Sequence, residues 1–327
     1  VPGFNRVADI ELVAVANRTR ASSEAAAAEH DIPEICGTWQ DLIARDDLDI
    51  VVIGTYPYTH REMTAAALEA GKHVFCQARM ALDFADAKVM FDHARQHDRV
   101  VGLCPVPIGM KVDRTITRML REGALGDVHL VRVQGMADAY LDPEAPMNWR
   151  KDECLSGLNM LTLGMYVEVI HRWFGWTQAV SATTQTFVPE RVDETGERRT
   201  VRIPDQILFN TEQEGGFPVQ YVISAAVKNG TDAIEIYGTK KTLRYELPSD
   251  VLYEVGEGGA LKPVTISPED AYDVETWRVE EDFVAAIREG KDYHPNLEDG
   301  LRYMQVVQAV YDSAESGGVV RLVDPTG

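Results

Sequence analysis

Positive charge is scarce in this sequence. Its 327 residues hold 32 lysines and arginines against 52 aspartates and glutamates, a formal net charge of −20. A chain of that sign is a poor partner for phosphate backbones or anionic headgroups, which bind through clustered Lys and Arg. No nucleic-acid or membrane partner is therefore expected. No apolar run approaches the roughly 18 residues of a membrane span. The opening Val1-Pro2-Gly3-Phe4-Asn5-Arg6 lacks the charged-then-apolar pattern of an export signal. Cysteine is sparse too: Cys36, Cys76, Cys104 and Cys154 stand far apart, with no C-x-x-C pair. That spacing suits neither a disulfide framework nor a zinc site; buried, reduced thiols in a cytoplasmic protein are expected. The 8 histidines are dispersed without H-E-x-x-H spacing, so no metal is expected. Nucleophile-elbow and P-loop signatures are absent.

What is present is an ordinary globular composition, 45% hydrophobic and 26% charged, long enough for about two domains. Apolar runs at 11–16, 49–54, 73–76 and 100–104 alternate with helical patterns at 22–30, 39–45, 59–70 and 84–97. Buried strands alternating with helices mean βαβ units and a parallel sheet. Pro105 and Pro107 then break the pattern. Beyond them a helix is predicted over 111–121, then strands over 128–136, 178–187, 201–209, 218–226, 233–237, 242–246 and 251–255. Helices are predicted over 158–174, 275–288 and 297–314. Clustered strands followed by helices indicate an antiparallel α+β domain. Residues 189–199, the most polar stretch, read as an exposed hairpin loop.

Several segments carry more than periodicity. They are Val13-Ala14-Val15-Ala16-Asn17-Arg18, Asp49 to Thr55 with Pro57 and His60, and Ala70-Gly71-Lys72-His73-Val74. Gly123-Ala124-Leu125-Gly126, Trp149-Arg150, Ile236-Tyr237-Gly238-Thr239, and the run from Phe283 to Gly290 followed by Leu297 to Leu301 complete the set. In this order and spacing they resemble the glucose–fructose oxidoreductase / inositol dehydrogenase / rhizopine-catabolism family, Gfo/Idh/MocA. The resemblance implies an α/β fold: a Rossmann-type NAD(P)-binding domain over residues 1–107, then an α+β substrate and oligomerisation domain over 108–327. The second domain should carry a largely antiparallel, open-faced sheet. The implied activity is NAD(P)-dependent oxidation or reduction of a secondary alcohol of a sugar, cyclitol or related polyol. The implied assembly is a homodimer or homotetramer paired through the open face.

The chain departs from the family pattern in three places. A dinucleotide fold opens with a strand and a G-x-G-x-x-G turn, and neither stands before Glu11. Either they lie outside the given sequence, the reading preferred here, or the phosphate cradle is lacking. Where the family reads Glu-Lys-Pro, this chain reads Gln77-Ala78-Arg79. Ala78 cannot stabilise a developing alkoxide as a lysine can. With the proline gone, the Ala78–Arg79 bond is expected trans, because cis costs about 2.5–4 kcal/mol. Arg79 is either an anion clamp or a surface arginine. Third, the family's D-x-G-x-H becomes Thr162-Leu163-Gly164-Met165-Tyr166, so Tyr166 replaces the histidine and Thr162 the aspartate. At about 100° per residue, Asn159, Thr162, Tyr166 and Trp173 share one helix face, read as a site wall or as a core face bonded to backbone.

Candidate roles follow. Asn17, Arg18 and Thr19 come after the second strand of the implied fold. An acidic residue there would suit the ribose of NAD, whereas Arg18 beside neutral Asn17 leans to the 2′-phosphate of NADP. Thr55, Tyr56, Pro57 and His60 follow the next strand, and Gln77 the one after; all are candidate cofactor contacts. His60 is equally a helix-start histidine bonded to backbone. Tyr166, assisted by Thr162 and Asn159, is the candidate proton relay, although its phenol needs a neighbouring cation to lower its pKa. Lys111 and Arg79 are possible neighbours. Trp149 and Arg150 are candidate substrate contacts, Arg150 for a carboxylate or phosphate, or else a structural corner. Two rivals remain: a lyase, epimerase or glycosidase using transient oxidation, and a catalytically silent binding or regulatory homologue.

Overall fold

The computed structural model describes residues 3–104, 112–160, 162–247, 249–268, 270 and 278–327. Lys111, the prolines 105 and 107, and the expected helical residues 275–277 lie outside them. Two compact units are formed: Val1–Ala81 with Ala85–Pro105 and Asp273–Gly300, and Leu82–Phe84 with Val106–Tyr272 and Leu301–Gly327.

The first unit alternates strands and helices, with one strand, β2, that its sequence pattern does not mark: β1 (Ala14–Val15), α1 (Arg20–His30), β2 (Glu34–Ile35), α2 (Trp39–Ile43), β3 (Ile50–Ile53), α3 (His60–Glu69), β4 (His73–Cys76), α4 (Phe84–Ala94) and β5 (Val101–Leu103). β1 pairs with β2 in parallel, and β3, β4 and β5 form a parallel sheet. Thr19 and Thr38 close capping boxes at the starts of α1 and α2. These caps satisfy helix N–H groups that otherwise lack partners, so each chain reversal after a strand is fixed.

The second unit holds α5 (Asp113–Arg121), β6 (Val128–Met136), α6 (Glu153–Ser156), α7 (Leu163–Phe174), β7 (Thr177–Gln185), β8 (Glu190–Val192), β9 (Arg198–Thr200), β10 (Gln206–Gln213) and β11 (Pro218–Ser224). It continues with β12 (Ala233–Gly238), β13 (Thr242–Glu246), β14 (Val251–Val255) and β15 (Leu261–Pro263). The chain then returns to the first unit in α8 (Val279–Glu289) and closes the second with α9 (Leu297–Ser316) and β16 (Val320–Arg321). The main sheet runs β15-β14-β13-β12-β6-β11-β10-β7-β16, antiparallel except for the β6–β11 pair. Burial alternates along β10: Ile207, Phe209 and Thr211 point inward, whereas Leu208 and Asn210 are exposed. One face is thus open, as expected. The hairpin expected at 189–199 is β8–β9.

Aromatic packing explains why residues 273–300 belong with the first unit. Phe283 lies 5.1 Å from Phe75 of β4 and 5.4 Å from Tyr293, centroid to centroid. A Cβ at Gly102 of β5 would come within 2.7 Å of both the Phe283 and Tyr293 rings. Only glycine lets these rings approach the sheet so closely.

Two elements differ from expectation for physical reasons. The helix expected from 158 begins at Leu163, because Gly157 turns the chain at φ 65° and Thr162 takes the N-cap. The strand expected over 201–209 runs instead over Gln206–Gln213, because the Ile203 and Pro204 carbonyls accept from Lys151 rather than from a neighbouring strand. The thiols also divide: Cys76 is buried, Cys36 and Cys104 are half-buried, and Cys154 is exposed.

Among the described residues, Lys151 and Asp205 form the most deeply buried ion pair, at 1% and 0% side-chain exposure and 2.5 Å. The second Asp205 oxygen accepts from the Phe187 and Val188 N–H groups. Replacing Lys151 by methionine leaves that carboxylate buried without its cation. Loss of one partner from such a pair costs about 3–5 kcal/mol, and urea unfolding of Lys151→Met should report a loss of that size. A change below about 1 kcal/mol would show that the pair contributes little.

Candidate functional site

Open parallel sheets bind ligands at the carboxyl ends of their strands. In the first unit the segments following β1, β2 and β3 enclose a cavity of about 480 Å³. Asn17, Arg18, Thr55 and Tyr56 all line it. Arg18 is exposed and makes no ion pair among the described residues, so its guanidinium is available to an anion. Asn17 is held by two bonds: its N–H donates to Ser23 Oγ (2.8 Å) and its amide to the Ser22 carbonyl (3.0 Å). Thr55 Oγ1 lies 2.6 Å from Thr59 Oγ1. The cavity is also lined by Thr38, Trp39 and Gln40, which the sequence reading did not single out. The capping box that Thr38 forms with Asp41 is the signal that marks a chain reversal there.

Four other candidates lie outside the cavity lining. Thr19 spends its hydroxyl on the cap of α1, accepting from the Ser22 N–H. Pro57 is buried at the first position of a short 3-10 turn, Pro57–Thr59. Gln77 is exposed and donates its N–H to the Ile53 carbonyl (2.9 Å). His60 is buried, with Nδ1 3.1 Å from the Met80 carbonyl and Nε2 3.0 Å from the Thr55 carbonyl. Burial outweighs both carbonyls and pushes its pKa below the ordinary value. His60 therefore ties the segment after β3 to the loop after β4, the backbone-bonded alternative. That loop carries Arg79, half-buried, and its Ala78–Arg79 peptide is cis, not trans as expected. The expectation weighed residue type alone, whereas here Met80 and Ala81 are locked in the interior at 0% and 1% exposure.

In the second unit, Tyr166 and Thr162 share a face, and that face lies on β6. A Cβ at Gly135 would fall 2.4 Å from Tyr166 Cε2 and 3.2 Å from Thr162 Oγ1. The absent side chain at Gly135 is what seats the ring. Tyr166 is fully buried, yet its hydroxyl closes no hydrogen bond of good geometry among the described residues. Burial, and next the Asp232 carboxylate beside it, push the phenol pKa upward. The neighbour is thus an acid, where the sequence reading called for a cation. With its pKa raised, the phenol keeps its proton and is not a ready base. Asn159 is not on the helix; it lies in the preceding turn, donating its amide to the Ser156 carbonyl (2.6 Å). Trp173 donates to Asp113 Oδ1 (2.6 Å).

Trp149 and Arg150 lie together, the guanidinium 4.2 Å from the indole centroid. Stacking of this kind holds a cation in place, and Arg150 Nε has no hydrogen-bond partner among the described residues. Both follow a long segment without regular structure. Arg191 secures that segment by donating to the Tyr140, Asp142 and Ala145 carbonyls. Among the described residues no group of His, Cys, Asp and Glu is placed to hold a metal ion, and no helix is long and apolar enough to cross a membrane.

Comparison with known proteins adds three findings. Residues 2–103 match the model of an oxidoreductase family with an NAD-binding Rossmann fold, and residues 117–322 match its C-terminal alpha/beta domain. Levoglucosan dehydrogenase of Pseudarthrobacter phenanthrenivorans is 24% identical over 318 residues, covering 84% of this chain and 80% of that protein. D-xylose 1-dehydrogenase (NADP(+)) 2 of Haloferax volcanii is 25% identical over 320 residues, covering 95% and 92%. The structure of a levoglucosan dehydrogenase in complex with NADH and L-sorbose has the same fold, with TM-score 0.85, 22% identity, and 97% and 91% coverage.

The His60 bridge predicts a stability effect. In His60→Ala, whichever of the Thr55 and Met80 carbonyls accepts the single N–H of the neutral ring loses its donor. Leaving a buried acceptor unpaired costs about 1–3 kcal/mol, which a urea midpoint should show. An unchanged midpoint would mean that the bridge carries no net stability.

Proposed function

The chain belongs to the Gfo/Idh/MocA oxidoreductase family, and we propose that it oxidises or reduces a secondary alcohol of a sugar, cyclitol or related polyol with a nicotinamide dinucleotide. The observation that carries this reading is the cavity at the strand ends, lined together by Asn17, Arg18, Thr55 and Tyr56. Its residues suit the adenosine half of such a cofactor. Trp39 and Tyr56 offer aromatic surface, Asn17 a polar side chain, and Arg18 a cation that makes no ion pair among the described residues. The bound nicotinamide would supply a hydride acceptor or donor.

Arg18 favours NADP over NAD. A 2′-phosphate would accept charge-assisted hydrogen bonds from the guanidinium, and Thr19, by capping α1, fixes the backbone from which Arg18 projects. Pro57, His60 and Gln77 act less directly, shaping the loops after β3 and β4. In the second unit Trp149 and Arg150 would hold a polar substrate; in the first, Arg79 is the proposed substrate contact.

Tyr166 is the proposed proton relay, with Thr162 on the same face and Asn159 assisting from the turn before α7. A buried hydroxyl without a good partner costs about 1–3 kcal/mol, and a reacting alcohol would repair that deficit. A silent binding homologue is the rival reading, supported by Ala78 and Tyr166 standing where the family has lysine and histidine. Assembly as a homodimer or homotetramer is proposed on the open sheet face, where Leu208 and Val319 are exposed at 41% and 64%. Light scattering at the mass of one chain would exclude it.

Two substitutions test the assignments. Arg18→Ala should weaken NADPH binding about 10–100-fold, the worth of a charge-assisted bond, and leave NADH within about 3-fold. Equal losses for both would remove Arg18 from the phosphate site. Tyr166→Phe should lower turnover about 10²-fold with cofactor affinity unchanged. Turnover like the unaltered enzyme's would end the relay assignment.

A further inference from the structure

Asp232 lies just before β12 and belongs to no motif. The sheet register brings it to the Tyr166 seat. Ala233 pairs with Gln134 across the β12–β6 ladder, so Asp232 comes level with Gly135, the residue on which the Tyr166 ring rests. Its Oδ1 accepts the Met136 N–H at 2.8 Å. That bond fixes the carboxylate on the strand, one residue beyond the glycine. Tyr166 is fully buried, whereas Asp232 is half-buried.

We propose that Asp232 is the positioning residue and proton partner of Tyr166, linking a buried phenol to water. This rests on the relay role proposed above for Tyr166. In the oxidation direction the substrate O–H bond breaks and its proton goes to Tyr166 Oη. The phenol proton passes in the same step to the Asp232 carboxylate. The carbon–hydrogen electron pair leaves as hydride to the oxidised nicotinamide, and the C=O bond forms. Asp232 then releases the proton to solvent; reduction runs the same transfers backwards. A phenol alone is a poor base near neutral pH, and a carboxylate behind it removes the need to form a free phenolate. The other titratable group acting on the phenol is Tyr245, whose own hydroxyl donates to Asp250 Oδ1 at 2.7 Å. Asp232 is therefore the carboxyl group that acts on the phenol from the β12–β6 ladder.

The test uses Asp232→Asn, which keeps an oxygen for the Met136 N–H but removes the charge. With 3,5-difluorotyrosine at position 166, the more acidic phenol titrates in the folded protein and is followed by fluorine resonance. Loss of the carboxylate should lower the apparent pKa of that phenol by one unit or more, a tenfold change in its ionisation equilibrium. An unmoved titration would overturn the pairing. Turnover of D-xylose with NADP⁺ separates this inference from the reading beneath it. Loss of about tenfold or more in kcat for Asp232→Asn, with KM and melting temperature unchanged, is the expected result. If Tyr166→Phe loses turnover while Asp232→Asn keeps it, the inference falls and the relay stands. If both keep it, the relay reading falls as well.

Discussion

A lysine ammonium sealed from water organises the second unit. Lys151 has three N–H donors and three acceptors: the Asp205 carboxylate and the Ile203 and Pro204 carbonyls. It also lies 4.2 Å from the Tyr140 ring centroid. Every proton is used, so the charge is tolerated in the interior. The consequences spread from there. The chain over 201–205 is diverted from the sheet, the segment between β6 and α6 is tied down, and Trp149 and Arg150 are presented from a fixed support. Arg191 repeats the device near Tyr140, using three carbonyls of that segment. Two buried cations do here what strand pairing does elsewhere in the sheet.

Local pattern made much of the fold legible. β4, β6, β13 and β14 fall on the residues that apolar alternation marks, and α1, α3 and α9 follow their helical periods closely. The first unit's cavity is readable for a topological reason. Once parallel strands are recognised, their carboxyl ends are known, and Asn17, Arg18, Thr55 and Tyr56 stand there. Side chains that spend their polar groups on the backbone were not separable from ligand contacts by sequence. Thr19 caps a helix and His60 bridges two carbonyls, yet each occupies a position where a cofactor contact is also plausible chemistry.

Long-range pairing set the rest. Nothing near Asp232 in the chain points to Tyr166; the register of β12 on β6 joins them. Nothing near Phe283 points to Phe75, and only packing shows that the segment carrying it completes the first unit. The start of α7 was misjudged because its apolar period extends backwards through Leu158, whereas Gly157 and Thr162 set the boundary. The same shift took Asn159 off the helix face. The Ala78–Arg79 peptide, cis where the residue pair indicates trans, belongs with these.

The proposed chemistry requires the first unit's cavity to receive a nicotinamide dinucleotide. Trp39 lines that cavity, so its emission should respond to a bound ligand. The direct measurement is an equilibrium titration of the protein with NADPH and with NADH, reading quenching of Trp39 against a Trp39→Phe control. Saturable quenching at micromolar concentration, tighter for NADPH, is the predicted result. No binding of either at millimolar concentration, with the fold intact by circular dichroism, would contradict the account and leave the silent homologue in its place.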